Sequence, residues 1–100
     1  MLKQMEKDFS VLRKIGLNKL EITCYRGLTE VGYSKASRLA AHLGRPASNL
    51  YPVLNALQER GFVDSHKATQ GPTYYRAVRL DQALQQYFGW QERQVWVLMR

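Results

Sequence analysis

The sequence predicts a mainly α domain completed by a small β-hairpin, an α+β chain. Three observations predict it. Apolar residues recur at spacings of three and four through the N-terminal 60 residues. Caps and glycines punctuate those stretches. Between residues 62 and 80 the pattern shifts toward alternation around a Gly-Pro turn.

Residues 2 to 15 set Leu2, Met5, Phe9, Leu12 and Ile15 on one stripe, an amphipathic helix that Gly16 ends. Asn18 followed by Glu21 has the spacing of a capping box, so a second helix is expected from Lys19 to about Val31. Leu20, Cys24, Leu28 and Val31 share its apolar face, with Leu17 packing at its entry. Gly32 breaks it and Tyr33 is a candidate for a short strand. Ser34 is placed to cap a third helix over Lys35 to Leu43, with Ala36, Leu39, Ala40 and Leu43 inward. "LGRP" is then a tight turn: Gly44 suits a C-cap and Pro46 the first turn of a fourth helix. That helix, about 46–60, is anchored by Leu50, Val53, Leu54 and Leu57 and ends at Gly61. "FVDSHKA" and "TYYRAVRL" read as strands joined at "TQGP".

A helix, a short turn containing Gly and a second helix make a helix-turn-helix. A hairpin directly after it makes the whole a winged helix-turn-helix, with extra N-terminal and C-terminal helices. The expected division is a winged-helix domain over residues 1–80 and a C-terminal helix over 81–100, capped by Asp81. That last helix carries Leu84, Tyr87, Phe88, Trp90, Val95, Leu98 and Met99, more apolar surface than a small domain needs. It either dimerises through these residues or folds back on the first helix; dimerisation is the reading preferred.

The chain has 100 residues and a formal charge of +7, from 15 Lys plus Arg against 8 Asp plus Glu. That balance favours a polyanionic partner, nucleic acid or an acidic membrane surface. The charge is uneven. From Val31 to Gln58 there is no acid, while Lys35, Arg38 and Arg45 fall inside that window. The N-terminus lacks an apolar signal core and no apolar run has membrane-spanning length, so a cytoplasmic location is expected.

"LRKIGLNKLEITCYRGLTEVG", "ASRLAAHLGRPASNLYPVLNALQERGFVDS" and "PTYYRAV", in that order, resemble the TrmB-like winged-helix transcription regulators over about residues 10 to 84. "LYPVLNAL" is also similar to the PadR-type regulators. The TrmB resemblance implies a sequence-specific, double-stranded DNA-binding regulator, usually a homodimer on an operator. It implies that Ala47, Ser48, Asn49 and Tyr51 lie near the DNA. Many members of that family also carry a C-terminal domain that binds sugars. Here the chain stops at Arg100, as a short stand-alone member or a fragment, and no small-molecule effector site is expected in these residues.

The front of helix 46–60 fits this reading. A recognition helix must be anchored at its rear and slender at its front to enter the major groove. Ser48 and Asn49 can donate to phosphates or base edges, and Asn can pair bidentately with adenine. Ala47 permits close approach, and Asn55 follows on the exposed side. Pro52 frees the carbonyl of Ser48. It is either a flat apolar surface near a sugar or thymine methyl, or a tolerated kink. Tyr51 either reaches a phosphate or packs against the wing. Lys35, Arg38 and Arg45 suit phosphate contacts, which give affinity without sequence information. In the wing, about 67–73, Lys67, Gln70 and Thr73 flank the tip, with Lys67 placed to reach the backbone or minor groove. Arg76 and Arg79 belong to the wing or to a dimer contact, and Tyr75 to the core.

Cys24 is the only cysteine and sits on a core stripe, so neither a disulfide within the chain nor a Cys-based zinc cluster is expected. His42 and His66 have no ligand cluster around them in the sequence, and no metal or cofactor is expected. No nucleophile elbow, Gly-rich phosphate loop or carboxylate pair marks an enzyme. Two rival functions are a winged-helix module for protein–protein contacts and a non-specific architectural DNA-binding protein. A third, single-stranded nucleic acid binding, requires Tyr33, Tyr51, Tyr74 and Tyr75 to face solvent together.

Overall fold

The computed structural model describes residues 9–87. Within them the order is a helix whose described part is residues 9–14 (α1), α2 (Lys19–Val31), β1 (Ser34–Lys35), α3 (Ala36–Leu43), α4 (Ala47–Glu59), β2 (Val63–Lys67), β3 (Thr73–Ala77) and α5 (Leu80–Tyr87). The three strands form one antiparallel sheet in the order β1-β3-β2. The fold is a winged helix: α3 and α4 form the helix-turn-helix and β2–β3 the wing.

Helix α2 starts where its cap dictates. The Asn18 side chain accepts from the Glu21 amide at 2.8 Å, and Glu21 accepts from the Asn18 amide at 2.8 Å. Two of the helix's orphan donors are satisfied by residues three apart. Gly27 lets α3 come close: a Cβ there would stand 2.9 Å from Leu39 Cδ1. The expected stripe on α2 is too narrow, however. Tyr25 is 1% exposed, although the sequence pattern left it off. Its ring meets Phe9 and Phe62 edge-on, at centroid distances of 5.7 and 5.9 Å. Its hydroxyl donates to the carbonyl of Val78 at 2.6 Å, which makes complete burial of the phenol tolerable and ties α2 to the end of the wing.

Tyr25→Phe keeps the ring but leaves the Val78 carbonyl buried without this donor. It is expected to lower stability by about 1–2 kcal/mol. Urea denaturation should show a lower midpoint with an unchanged m value.

Three other expectations are corrected. Ser34 does not cap α3; it pairs with Tyr75 in β1, and Lys35 takes the N-cap position without a side-chain cap bond. The short strand is therefore Ser34–Lys35, not Tyr33, because pairing with β3 draws in the two residues before α3. Asp81 lies inside the first turn of α5, whose first residue is Leu80, and its carboxylate accepts from the Gln82 amide and from Arg79.

The core gathers Leu12, Cys24, Leu28, Leu39, Leu50, Leu54, Leu57, Phe62 and Leu84, each at most 1% exposed. Leu84 thus packs inside the domain instead of on a free helix face. The Tyr87 hydroxyl reaches the Ile15 carbonyl at 3.3 Å, so the described part of the last helix folds back toward the end of α1. Phe88, Trp90, Val95, Leu98 and Met99 lie outside the described residues.

Burial pushes the Cys24 thiol up to about 11; Glu21 adds to this and Arg45 opposes it. The thiol ionises more easily in the unfolded chain. Its contribution is therefore whole below the ordinary thiol pKa of about 8.5 and lost as pH rises toward about 11. Urea stability compared at neutral pH and above pH of about 9 should fall more for the parent chain than for Cys24→Ala.

Candidate nucleic-acid interface

The turn between α3 and α4 is set by Gly44, which adopts the left-handed conformation at φ 67°. The Arg45 amide donates back to the Ala40 carbonyl at 3.0 Å, closing the end of α3. Pro46, with extended backbone, is the N-cap of α4 and supplies no side-chain cap. Asn49 N donates to the Pro46 carbonyl at 3.1 Å, while the amides of Ala47 and Ser48 have no acceptor among the described residues. An uncapped helix start next to cationic side chains suits an anionic oxygen.

Leu50, Leu54 and Leu57 are fully buried and hold the rear of α4. Ser48, Asn49, Tyr51, Pro52 and Asn55 are exposed, and Ala47 is half-buried beneath them. The first turn, Ala47 to Asn49, is thus small and polar, and Tyr51 and Pro52 add exposed apolar surface directly after it. Pro52 sits on the exposed side and α4 continues through it to Glu59. Tyr51 stands close enough to Tyr75 on β3 to raise the Tyr75 pKa, an effect second to burial. Tyr75 is buried, as expected.

The ion pairs sort the cations into two groups. Arg76 is bound to Asp64 at 2.7 Å, Arg79 to Asp81 at 2.9 Å, and Arg60 approaches Glu21 at 3.5 Å. His42 meets Glu30 at 2.8 Å. Lys35, Arg38, Arg45 and Lys67 have no carboxylate partner among the described residues and are exposed, as are Arg13 and Lys14 on α1 and Lys19 and Arg26 on α2. The first four lie in β1 at the N-cap of α3 (Lys35), on α3 (Arg38), in the helix-turn-helix turn (Arg45) and in the wing (Lys67). Arg76 and Arg79 are neutralised locally, and the sequence does not disclose the first pairing because Asp64 faces Arg76 only through the β2–β3 register.

In the wing, Lys67 pairs across the hairpin with half-buried Thr73, and Gln70 is exposed in the turn beyond them. Lys35 lies opposite Tyr74 in β1, at the start of α3, and so borders both the helix-turn-helix and the sheet. Among the described residues no three His, Cys, Asp or Glu side chains come together as metal ligands, and no helix is long and apolar enough to cross a membrane.

A helix-turn-helix with an acid-free front, a basic border and an adjoining wing defines a protein of the winged helix-turn-helix class. Residues 12–81 match the family model described as "Sugar-specific transcriptional regulator TrmB". The chain belongs to the TrmB family.

Over 59 residues it is 39% identical to the HTH-type sugar sensing transcriptional regulator TrmBL1 of Pyrococcus furiosus, a match covering 59% of this chain and 17% of that protein. The chain therefore spans a small part of that relative's length. Among solved structures it is similar to TrmBL2, an archaeal chromatin protein described as showing a novel mode of DNA binding. The TM-score is 0.68 at 27% identity, over 93% of this chain and 35% of that one. A MarR-family regulator from Silicibacter pomeroyi shares the fold, with a TM-score of 0.60 at 20% identity, over 98% of this chain and 65% of that one. These relatives are regulators and a DNA-binding chromatin protein, not enzymes.

Proposed function

We propose that this chain is a sequence-specific, double-stranded DNA-binding transcriptional regulator. Helix α4 enters the major groove, with Asn49 and Ser48 at base edges and Ala47 allowing close approach. Tyr51, Pro52 and Asn55 line the groove wall. Lys35, Arg38 and Arg45 hold phosphates. Lys67, Gln70 and Thr73 set the wing on the backbone or minor groove. The observation that carries this reading is the first turn of α4: small and polar, preceded by the unpaired cations Lys35, Arg38 and Arg45, with no acid in the helix before Glu59.

The active form is a homodimer, so that two recognition helices meet two half-sites. With Leu84 occupied in the core, its interface falls on Tyr87, Phe88, Trp90, Val95, Leu98 and Met99. The chain works on genomic DNA in the cytoplasm. A second reading, architectural binding without sequence preference, is favoured by the similarity to the TrmBL2 chromatin protein.

The test is a titration of labelled fragments from around the chain's own gene against random duplex. Tight binding to one fragment, with two protected half-sites, is expected. Equal affinity for every fragment would establish the architectural reading instead. No binding even at low salt would remove both.

A further inference from the structure

The outer face of the sheet carries Tyr33, Tyr74 and His66, which the duplex-binding surface does not use, and meets that surface at Lys35. Alternation turns Ser34, Val63 and Tyr75 into the core, where they are buried. It turns Lys35, Asp64, His66, Tyr74 and Arg76 the other way. The register sets Lys35 and His66 on either side of Tyr74, and Asp64 opposite Arg76. Tyr33, just before β1, lays its ring on Tyr74, with centroids 5.1 Å apart and planes 17° from parallel. Tyr33 is nonetheless 54% exposed, so its ring offers an aromatic surface to solvent on top of a second ring.

An ion pair, an unpaired lysine and a histidine lie beside this stack. The carboxylate of Asp64 is held by Arg76, Lys35 has no carboxylate partner among the described residues, and His66 has no hydrogen-bond partner there. Tyr33, His66, Arg76, Asp64, Ser65 and Gln58 line an open groove of about 630 Å³. A cross-strand aromatic pair stabilises a sheet by itself. That role explains neither the solvent-facing ring nor the unpaired lysine beside it.

We infer that this face binds single-stranded nucleic acid through the Tyr33 ring alone. Tyr75 is buried and Tyr74 half-buried, so Tyr33, Tyr51, Tyr74 and Tyr75 share no exposed platform. An unpaired base stacks on the open side of Tyr33, and Lys35, which borders both surfaces, holds the adjoining phosphate. His66 is placed to meet the base edge. The pairing of an open aromatic ring with a cation calls for a ligand that alternates flat rings and anions. A duplex does not fit, because its bases are already stacked on one another. A second copy of the chain would bring the same unpaired lysine and be repelled.

The test uses fluorescence anisotropy with a labelled oligothymidine of about twelve nucleotides, a length in the usual range for a single-strand site. A random duplex is titrated in parallel. The chain should bind the single strand at low salt. Tyr33→Ala should weaken that binding at least about fivefold while the chain stays folded and duplex affinity is unchanged. Tyr33→Phe, which keeps the ring, should bind like the parent.

Absence of single-strand binding by the parent chain would overturn the inference. So would an unchanged affinity in Tyr33→Ala, or equal losses for single strand and duplex. Sedimentation of both proteins covers the remaining occupant: self-association lost with Tyr33→Ala, and single-strand affinity retained, would assign the face to a protein contact and overturn the inference. The parallel duplex titration separates failure here from failure of the duplex-binding function.

Discussion

Phe62→Ala is expected to destabilise the domain by about 3–5 kcal/mol. Phe62 is 0% exposed and stands where the main parts of the fold meet. Its ring packs edge-on against Tyr25 at 5.9 Å and lies 6.0 Å from Tyr87. Its backbone closes both neighbouring segments: its amide donates to the Leu57 carbonyl and its carbonyl accepts from the Val78 amide, each at 2.9 Å. Removing the ring leaves a cavity between α2, α5 and the wing that the anchored backbone cannot collapse to fill. For a domain of this size the loss corresponds to a fall in Tm of roughly 15–30 °C. Thermal unfolding followed by far-UV circular dichroism reads it directly. A fall of only a few degrees would mean that the ring is not the joint between helices and wing.

Asn49→Ala is expected to reduce affinity for the preferred duplex by about 5- to 150-fold, the range set by one good base contact of about 1–3 kcal/mol. Its affinity for random duplex should barely change, since an exposed asparagine that reads bases contributes little to backbone binding. Arg38→Ala should behave differently. Its loss should be similar on preferred and random DNA, with a salt dependence shallower by about one phosphate. The contrast follows from position: Asn49 is in the first turn of α4, Arg38 on the exposed side of α3. Titrations of both variants on both duplexes check it. Equal losses on both duplexes for Asn49→Ala would remove its base-reading role.

Local chemistry made much of this legible in the sequence. The bounds of α2 follow from a capping box and a terminal glycine, both contained within a few residues of the helix. The front of α4 is legible because an acid-free run of small polar residues ahead of a leucine stripe has few other uses. The rest depends on contacts distant in the chain. Strand β1 exists only because residues 34 and 35 pair with 75 and 74. Tyr25 is buried because a carbonyl 53 residues away accepts its hydroxyl. Leu84 reads as a free apolar face until α5 is seen to complete the core. The same limit applies to the interface. Composition counts Arg76 with the other cations, and only the β2–β3 register brings Asp64 against it.

The central claim is that the front of α4 and its border of unpaired cations form a duplex-binding surface. The most direct test is the salt dependence of duplex affinity for the parent chain and for a variant carrying Lys35→Ala, Arg38→Ala and Arg45→Ala together. The log–log slope should be steep for the parent and shallower by about three phosphate contacts in the variant, with melting temperature unchanged. Identical slopes in two equally folded proteins would contradict the claim and assign the affinity to another face of the molecule.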